Sequence, residues 1–295
     1  MTTSTRKIWT AWAFLALPLA LFLAVRFGPT LYLLGSSLTN AGLLQKHPKF
    51  IGLGNFATLF SDPIFLKSLG NTLTYALVGS PLAVGLGLYF ALKLNRIGKG
   101  SAWFRLVALL PYVTPVVAVG WVWRWIFTTP PFGVLDAILM FFGLPAQPFL
   151  NSPQQALWCV LTVNVWVELG YCMVIFLAGI KTVSPSLLEA ARMDGATESQ
   201  TTRRIVIPLM APVTLFLIVT EVIQFLRIFT QVYTMSFQSQ GGPLDSTKSV
   251  ALYLYQKAFT EFDTGLATAA GLVLFVFILV VTLLQLVVFD KRSER

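Results

Sequence analysis

Apolar and polar positions divide the chain into six long hydrophobic runs separated by segments of unequal length. The first begins near Ile8, continues to Val25 and stays apolar past Arg26 and Pro29 to Leu38. Five more follow at about Asn71–Leu92, Leu106–Phe127, Ala156–Ile180, Leu209–Val232 and Leu266–Phe289. Each holds roughly 20 residues or slightly more, enough for a helix to cross about 30 Å of hydrocarbon. A signal-peptide core is only about 7–15 residues, so the first run reads as an uncleaved span. A helix starting near Trp9 carries Arg26 about 25 Å along its axis, where the guanidinium can snorkel to the far interface. The pattern predicts an all-α, polytopic membrane helix bundle of about six transmembrane helices.

Lys181–Pro212 is the only long polar stretch between two such runs. Ser184 before Pro185 predicts a helix start, with the Ser side chain accepting from an orphan N–H and Pro at the first helical position. Gly195 predicts its end. Leu187, Leu188, Ala190 and Ala191 form a small apolar face. Thr197 with Gln200 three residues on predicts a capping box, opening a second helix that carries Arg203 and Arg204 before Pro208. A solvated linker is the plain alternative, but a linker has no need of two capped helices and a small-residue face.

Glu189-Ala190-Ala191, Asp194-Gly195-Ala196, Ile205-x-Ile207-Pro208 and Pro212 closely resemble the EAA loop of permease subunits of binding-protein-dependent ABC importers. Pro185 and the later Gly241-Gly242-Pro243 are similar to the carbohydrate-uptake class related to maltose permeases. Ser199, Thr202 and Arg203 stand where that family more often has aromatic residues, and Phe229-Thr230 stands where it usually has Phe-Asp. The resemblance implies one permease domain over residues 1–295, with a core at about 67–290 and a cytoplasmic coupling loop at 181–207. It implies a coupling helix docked in a groove of an ATPase subunit, with Leu187, Leu188, Glu189, Ala190, Ala191, Asp194, Gly195 and Ala196 as the coupling residues. The partners implied are a second permease, two cytoplasmic ATPases that bind ATP and Mg, and an extracytoplasmic solute-binding protein. The location implied is a prokaryotic cytoplasmic membrane.

Composition agrees with a membrane protein: 56% of residues are hydrophobic and 11% charged. The 21 Lys and Arg against 12 Asp and Glu would suggest nucleic acid in a soluble chain, but here placement decides. Arg6 and Lys7, then Lys93, Arg96, Lys99 and Arg105, then Lys181, Arg192, Arg203 and Arg204, then Lys291, Arg292 and Arg295 fall on one side of the six spans. The positive-inside rule makes that side and both termini cytoplasmic. The segments on the other side, Thr39–Gly70, Thr128–Gln155 and Tyr233–Gly265, are longer and less basic. Gly52-Leu53-Gly54-Asn55-Phe56, Asp62-Pro63 and Asn71-Thr72 resemble the family's first outer loop. These segments either receive an extracytoplasmic partner or only cap the bundle.

Polar residues at membrane depth mark the candidate path, since each is costly there. Thr220, Gln224, Arg227 and Gln231 recur at i, i+4, i+7 and i+11, which predicts one stripe on a continuous fifth helix. Glu221 lies off that stripe, and Glu168 lies in the fourth span near Asn164, Trp166 and Tyr171. Amide and carboxylate groups beside an aromatic face suit a hydroxyl-rich solute. Pairing of Glu168 or Glu221 with Arg227, or with a neighbouring subunit, is the structural alternative.

Absences narrow the chemistry further. Gly98-Lys99-Gly100-Ser101 lacks the upstream glycine of a phosphate cradle, so no nucleotide site is encoded. One histidine, His47, and the cysteines Cys159 and Cys172, about 20 Å apart on one helix, supply neither a metal cluster nor a catalytic triad. No cofactor is expected. The function expected is a permease subunit for a sugar or related polyol, with glycerol phosphate or another small polar solute as the alternative. A stand-alone secondary transporter or channel would want two related halves with interrupted helices, and no internal repeat is present.

Overall fold

A computed structural model describes residues 3–42, 47–96, 101–236 and 240–293, and the described residues form an all-α membrane helix bundle. Gly98, Lys99, Gly100 and Arg295 lie outside them, as do the side chains of Arg6, Lys7, Lys291 and Arg292. Among the described residues four helices are long and apolar enough to cross a bilayer: Trp9–Ser37, Pro63–Arg96, Ala156–Ile180 and Thr264–Val287. Two bent pairs bring the possible spans to six. The elements in order are α1 (residues 3–37), α2 (Gly54–Ser61), α3 (Pro63–Arg96), α4 (Ser101–Val113), α5 (Val116–Ile126), α6 (Val134–Phe141) and α7 (Ala156–Ile180). After these come α8 (Pro185–Met193), α9 (Glu198–Leu209), α10 (Ala211–Leu226), α11 (Thr230–Met235), α12 (Val250–Phe259) and α13 (Thr264–Ser293).

The chain divides into two compact units, residues 1–62 with 253–276, and residues 63–252 with 277–295. In the first, α1 exposes apolar side chains such as Trp12, Phe14 and Leu21, and Arg26 falls in a π turn, Leu23–Phe27. The segment after α1 is ordered by polar contacts. Buried Asn55 donates its amide to the carbonyls of Ser37 and Thr39, both at 2.8 Å, and the Gly265 N–H reaches the Ala41 carbonyl at 2.7 Å.

The second unit is built round α7, most of whose side chains are buried, while Trp158, Thr162 and Trp166 leave one face of it exposed. Helices α3 and α4 pack on it closely at glycines: a Cβ on Gly87 would come within 2.5 Å of Cys172, and one on Gly170 within 2.0 Å of the Ala108 carbonyl oxygen.

Three expected spans differ from those found. The second begins at Pro63, not near Asn71, and its 34 residues reach about 51 Å at 1.5 Å per residue, beyond the hydrocarbon. Its extra length holds the segment after Gly241 and Gly242, which have φ of +92° and +78°. Lys67 Nζ donates to the Leu244 carbonyl at 2.6 Å, Asn71 Nδ2 to those of Asp245 and Lys248, and the Tyr75 hydroxyl to that of Thr247. Within α3 a π turn, Tyr75–Gly79, precedes Pro81, whose missing N–H interrupts the ladder.

The third expected span is not one helix. α4 and α5 meet at 95°, because Pro115 cannot donate and its ring excludes Thr114 from continuing the helix. The fifth is broken twice. α9 and α10 meet at 64° at Met210, between Pro208 and Pro212. α10 then ends at Leu226, where Arg227–Phe229 leaves the helix and Phe229 takes φ −134°, ψ −60°. No Pro or Gly marks this second break. It is stabilised from outside, by the buried Ser249 hydroxyl donating at 2.6 Å to the Ile228 carbonyl that the break frees.

Candidate functional site

The polar segment between α7 and α10 folds into two short helices, α8 and α9. Pro185 occupies the first position of α8, and Ser184 is extended ahead of it (φ −59°, ψ 127°). The expected Ser184 cap is absent, however, because its hydroxyl pairs with that of Ser186 at 2.7 Å. At the other end Gly195 has φ +73°. Its N–H donates to the Arg192 carbonyl at 3.0 Å and the Ala196 N–H to that of Ala191 at 2.9 Å, the two bonds of a Schellman stop. The capping box opening α9 is complete: Gln200 N–H donates to Thr197 Oγ1 at 3.3 Å, and Thr197 N–H to Gln200 Oε1 at 2.7 Å.

Leu187, Leu188, Ala190 and Ala191 were expected to share a face, and α8 divides them. Ala191 is buried and Leu188 half-buried, three residues apart on the inner side, with Ala196 half-buried just beyond the stop. Leu187, Glu189, Ala190, Asp194 and Gly195 are exposed, and Met193, 88% exposed, continues the outer row of Leu187 and Ala190. Met193 escaped the sequence reading because only a built helix shows which side it takes. α9 is held to the end of α3 by Arg96 and Glu198 at 2.9 Å. Both side chains are well exposed, so the pair contributes at most about 1 kcal/mol.

The membrane-depth residues converge on two neighbouring cavities of the second unit. One, about 280 Å³, is lined by Tyr112, Glu168, Tyr171, Thr220, Glu221 and Gln224 among others. The other, about 270 Å³, shares Tyr112, Glu168 and Gln224 and adds Asn164, Arg227 and Gln231. The expected single stripe is not what brings these groups together. Gln231 lies beyond the break on α11, and it reaches the second cavity by donating its amide to Asn164 Oδ1 at 2.6 Å. The break thus supplies a turn in the chain between Gln224 and Gln231, with exposed Arg227 at the corner.

Trp166 stands apart from the group, its ring edge-on to Trp123 at 5.3 Å and in neither cavity. Tyr171 stacks on Tyr112, with centroids 4.9 Å apart and planes inclined 16°. Tyr112 lines both cavities and was not anticipated. It stands between Pro111 and Pro115, at the end of α4 just before the bend. Among the described residues Arg227 forms no ion pair with Glu168 or Glu221. Internal pairing therefore does not explain the two acids. A larger groove of about 490 Å³ between α3, α10 and the second half of α13 is apolar apart from Ser80, Thr214 and Gln285, and offers no convergent polar set.

The two cavities bring together an aromatic stack, two acids, three amides and one guanidinium, and an exposed two-helix elbow lies elsewhere in the chain. Residues 83–294 match the family described as "Binding-protein-dependent transport system inner membrane component". The chain is 38% identical over 275 residues to "Probable ABC transporter permease protein YesP" of Bacillus subtilis (strain 168), covering 92% of this chain and 85% of that one. It is 32% identical over 288 residues to "Lactose transport system permease protein LacF" of Rhizobium radiobacter, covering 96% and 94%. It shares its fold, with a TM-score of 0.85 and 24% identity, with a chain of a bacterial alginate ABC transporter solved in complex with an alginate pentasaccharide-bound periplasmic protein, covering 96% of this chain and 94% of that one.

Proposed function

We propose, because this chain belongs to the binding-protein-dependent transport system inner membrane component family, that it is one half of a permease pair for a sugar or related polyol. A stand-alone transporter or channel falls away with that membership. In this reading a solute-binding protein delivers the solute on the outer side. Separate ATPase subunits hold ATP and Mg and drive the pair between outward and inward access. The basic segments and both termini face the cytoplasm. The exposed elbow of α8 and α9 seats in the ATPase, whose closure moves it; a partner shifts a two-state equilibrium only by contacting the two states differently.

The observation that carries the coupling role is the stripe of Leu187, Ala190 and Met193, apolar and outward on an otherwise polar loop. Met193→Cys, in a chain whose own Cys159 and Cys172 are both buried, is expected to crosslink to the ATPase subunit through a short bifunctional thiol reagent. An assembled complex that yields no such adduct would remove the elbow from the ATPase interface.

The cavity lining supports a hydroxylated solute, since Asn164, Gln224 and Gln231 both donate and accept. Gln224→Leu or Arg227→Leu is expected to alter solute preference or to weaken uptake about tenfold, the scale of one polar contact to the solute lost. Unchanged uptake by both variants would take the cavity out of the path. A phosphorylated small solute such as glycerol phosphate is the second reading, and exposed Arg227 is the residue that favours it.

A further inference from the structure

The first cavity is lined by two acids, Glu168 and Glu221, and by no basic side chain. Glu221 is fully enclosed, and among the described residues neither of its carboxylate oxygens has a nitrogen or hydroxyl donor. The group that does approach it is the thiol of Cys172, a weak hydrogen-bond donor. Glu168, 7% exposed, borders the same space, and no Lys, Arg or His lines it. Desolvated carboxylates without a cation are costly unless something arriving in the cavity compensates them.

The rest of the lining suits a cation of one kind. The stacked rings of Tyr112 and Tyr171 border the cavity, and aromatic faces attract ammonium groups. Thr220 donates its hydroxyl hydrogen back to the Phe216 and Leu217 carbonyls, leaving its oxygen free to accept. Gln224 reaches both cavities. Arg227 borders only the second cavity, which therefore pairs one acid with one base where the first has two acids.

We propose that the cavity between Tyr112, Glu168, Tyr171 and Glu221 is a subsite for a protonated amino group on the transported solute, making the solute an amino saccharide. This rests on the sugar-permease reading and narrows it. The amine sits against the two carboxylates and an aromatic face, and the hydroxyls of the same ring meet Thr220, Gln224 and the amides of the second cavity.

The test uses the assembled complex of both permeases and the ATPases in lipid nanodiscs, with labelled glucosamine, glucose and N-acetylglucosamine as probes. Glucosamine, at a pH below the pKa of its amine, is expected to bind at least about tenfold tighter than either neutral probe. Glu221→Gln is expected to bring that ratio close to one, and Glu168→Gln to lower it in the same direction. Equal binding of the three probes, no binding of glucosamine, or a preference that survives both substitutions overturns the proposal. So does loss of the second permease from the purified Glu221→Gln complex, since the acid would then be serving a subunit cation. Equal binding that disappears in Gln224→Leu keeps the saccharide path and removes only the amine subsite. Failure of the intact assembly to take up any saccharide removes the broader reading.

Discussion

Gly195→Val is expected to cut ATP-driven uptake to less than a tenth while leaving membrane insertion and pairing with the second permease intact. Gly195 has φ +73°, and a Cβ there would meet nothing within 4 Å. The penalty is therefore one of backbone conformation alone, about 1–2 kcal/mol for an L-residue and more for a β-branched one. It falls on the two bonds that stop α8, from Gly195 to Arg192 and from Ala196 to Ala191. Relaxing φ to a negative value prolongs α8 and swings α9, so the outer row of Leu187, Ala190 and Met193 no longer faces a partner at the right angle. Gly195→Asn tolerates the left-handed region and should keep most of the uptake. Uptake assays on vesicles, with co-purification of the ATPase, separate the two effects. Normal transport by the valine variant would contradict a lever role for this turn.

Gly170→Ala should be far more damaging than one methyl group suggests. Its Cβ would lie 2.0 Å from the Ala108 carbonyl oxygen and 3.1 Å from Leu109 Cα, so the α4 backbone itself has to retreat. Overpacking of a core costs about 1–3 kcal/mol, and backbone displacement places this change at the upper end or above it. The Tyr112–Tyr171 stack stands on the same two helices, at 4.9 Å, and separates with them. Thermal unfolding of the purified complex is expected to drop by several degrees, with altered solute binding in whatever remains folded. Gly85→Ala is the control, because a Cβ there meets nothing within 4 Å. That substitution should be neutral or stabilise by about 0.5–1 kcal/mol through helix propensity. Equal melting temperatures for the two variants would show that α4 does not approach α7 as closely as the structure places it.

The two-helix elbow was readable because its signals are local. Pro185, Gly195, Thr197 and Gln200 act within four residues of themselves, through φ limits and caps that need no distant neighbour. Ser184 is the exception, and its reason is equally local: Ser186 competes for the hydroxyl. The fourth span, Ala156–Ile180, coincided with its hydrophobic run because nothing in it breaks a helix. The third did not, although Pro111 and Pro115 were in plain view, because hydropathy alone treats a bent apolar pair as one span. The break after Leu226 had no local sign at all.

Hydrophobic run lengths, the placement of basic residues and the capping signals are properties of single segments, and they determined an all-α membrane bundle with one polar elbow. The grouping of Asn164, Glu168, Glu221, Gln224, Arg227 and Gln231 is a property of how α4, α7, α10 and α11 meet. It depends on glycines that admit a neighbouring backbone and on a hydroxyl at Ser249 that accommodates a broken helix from more than 20 residues away. Such contacts satisfy polar groups across large sequence separations, so only the folded chain could reveal that two buried acids share one space and have no cation between them.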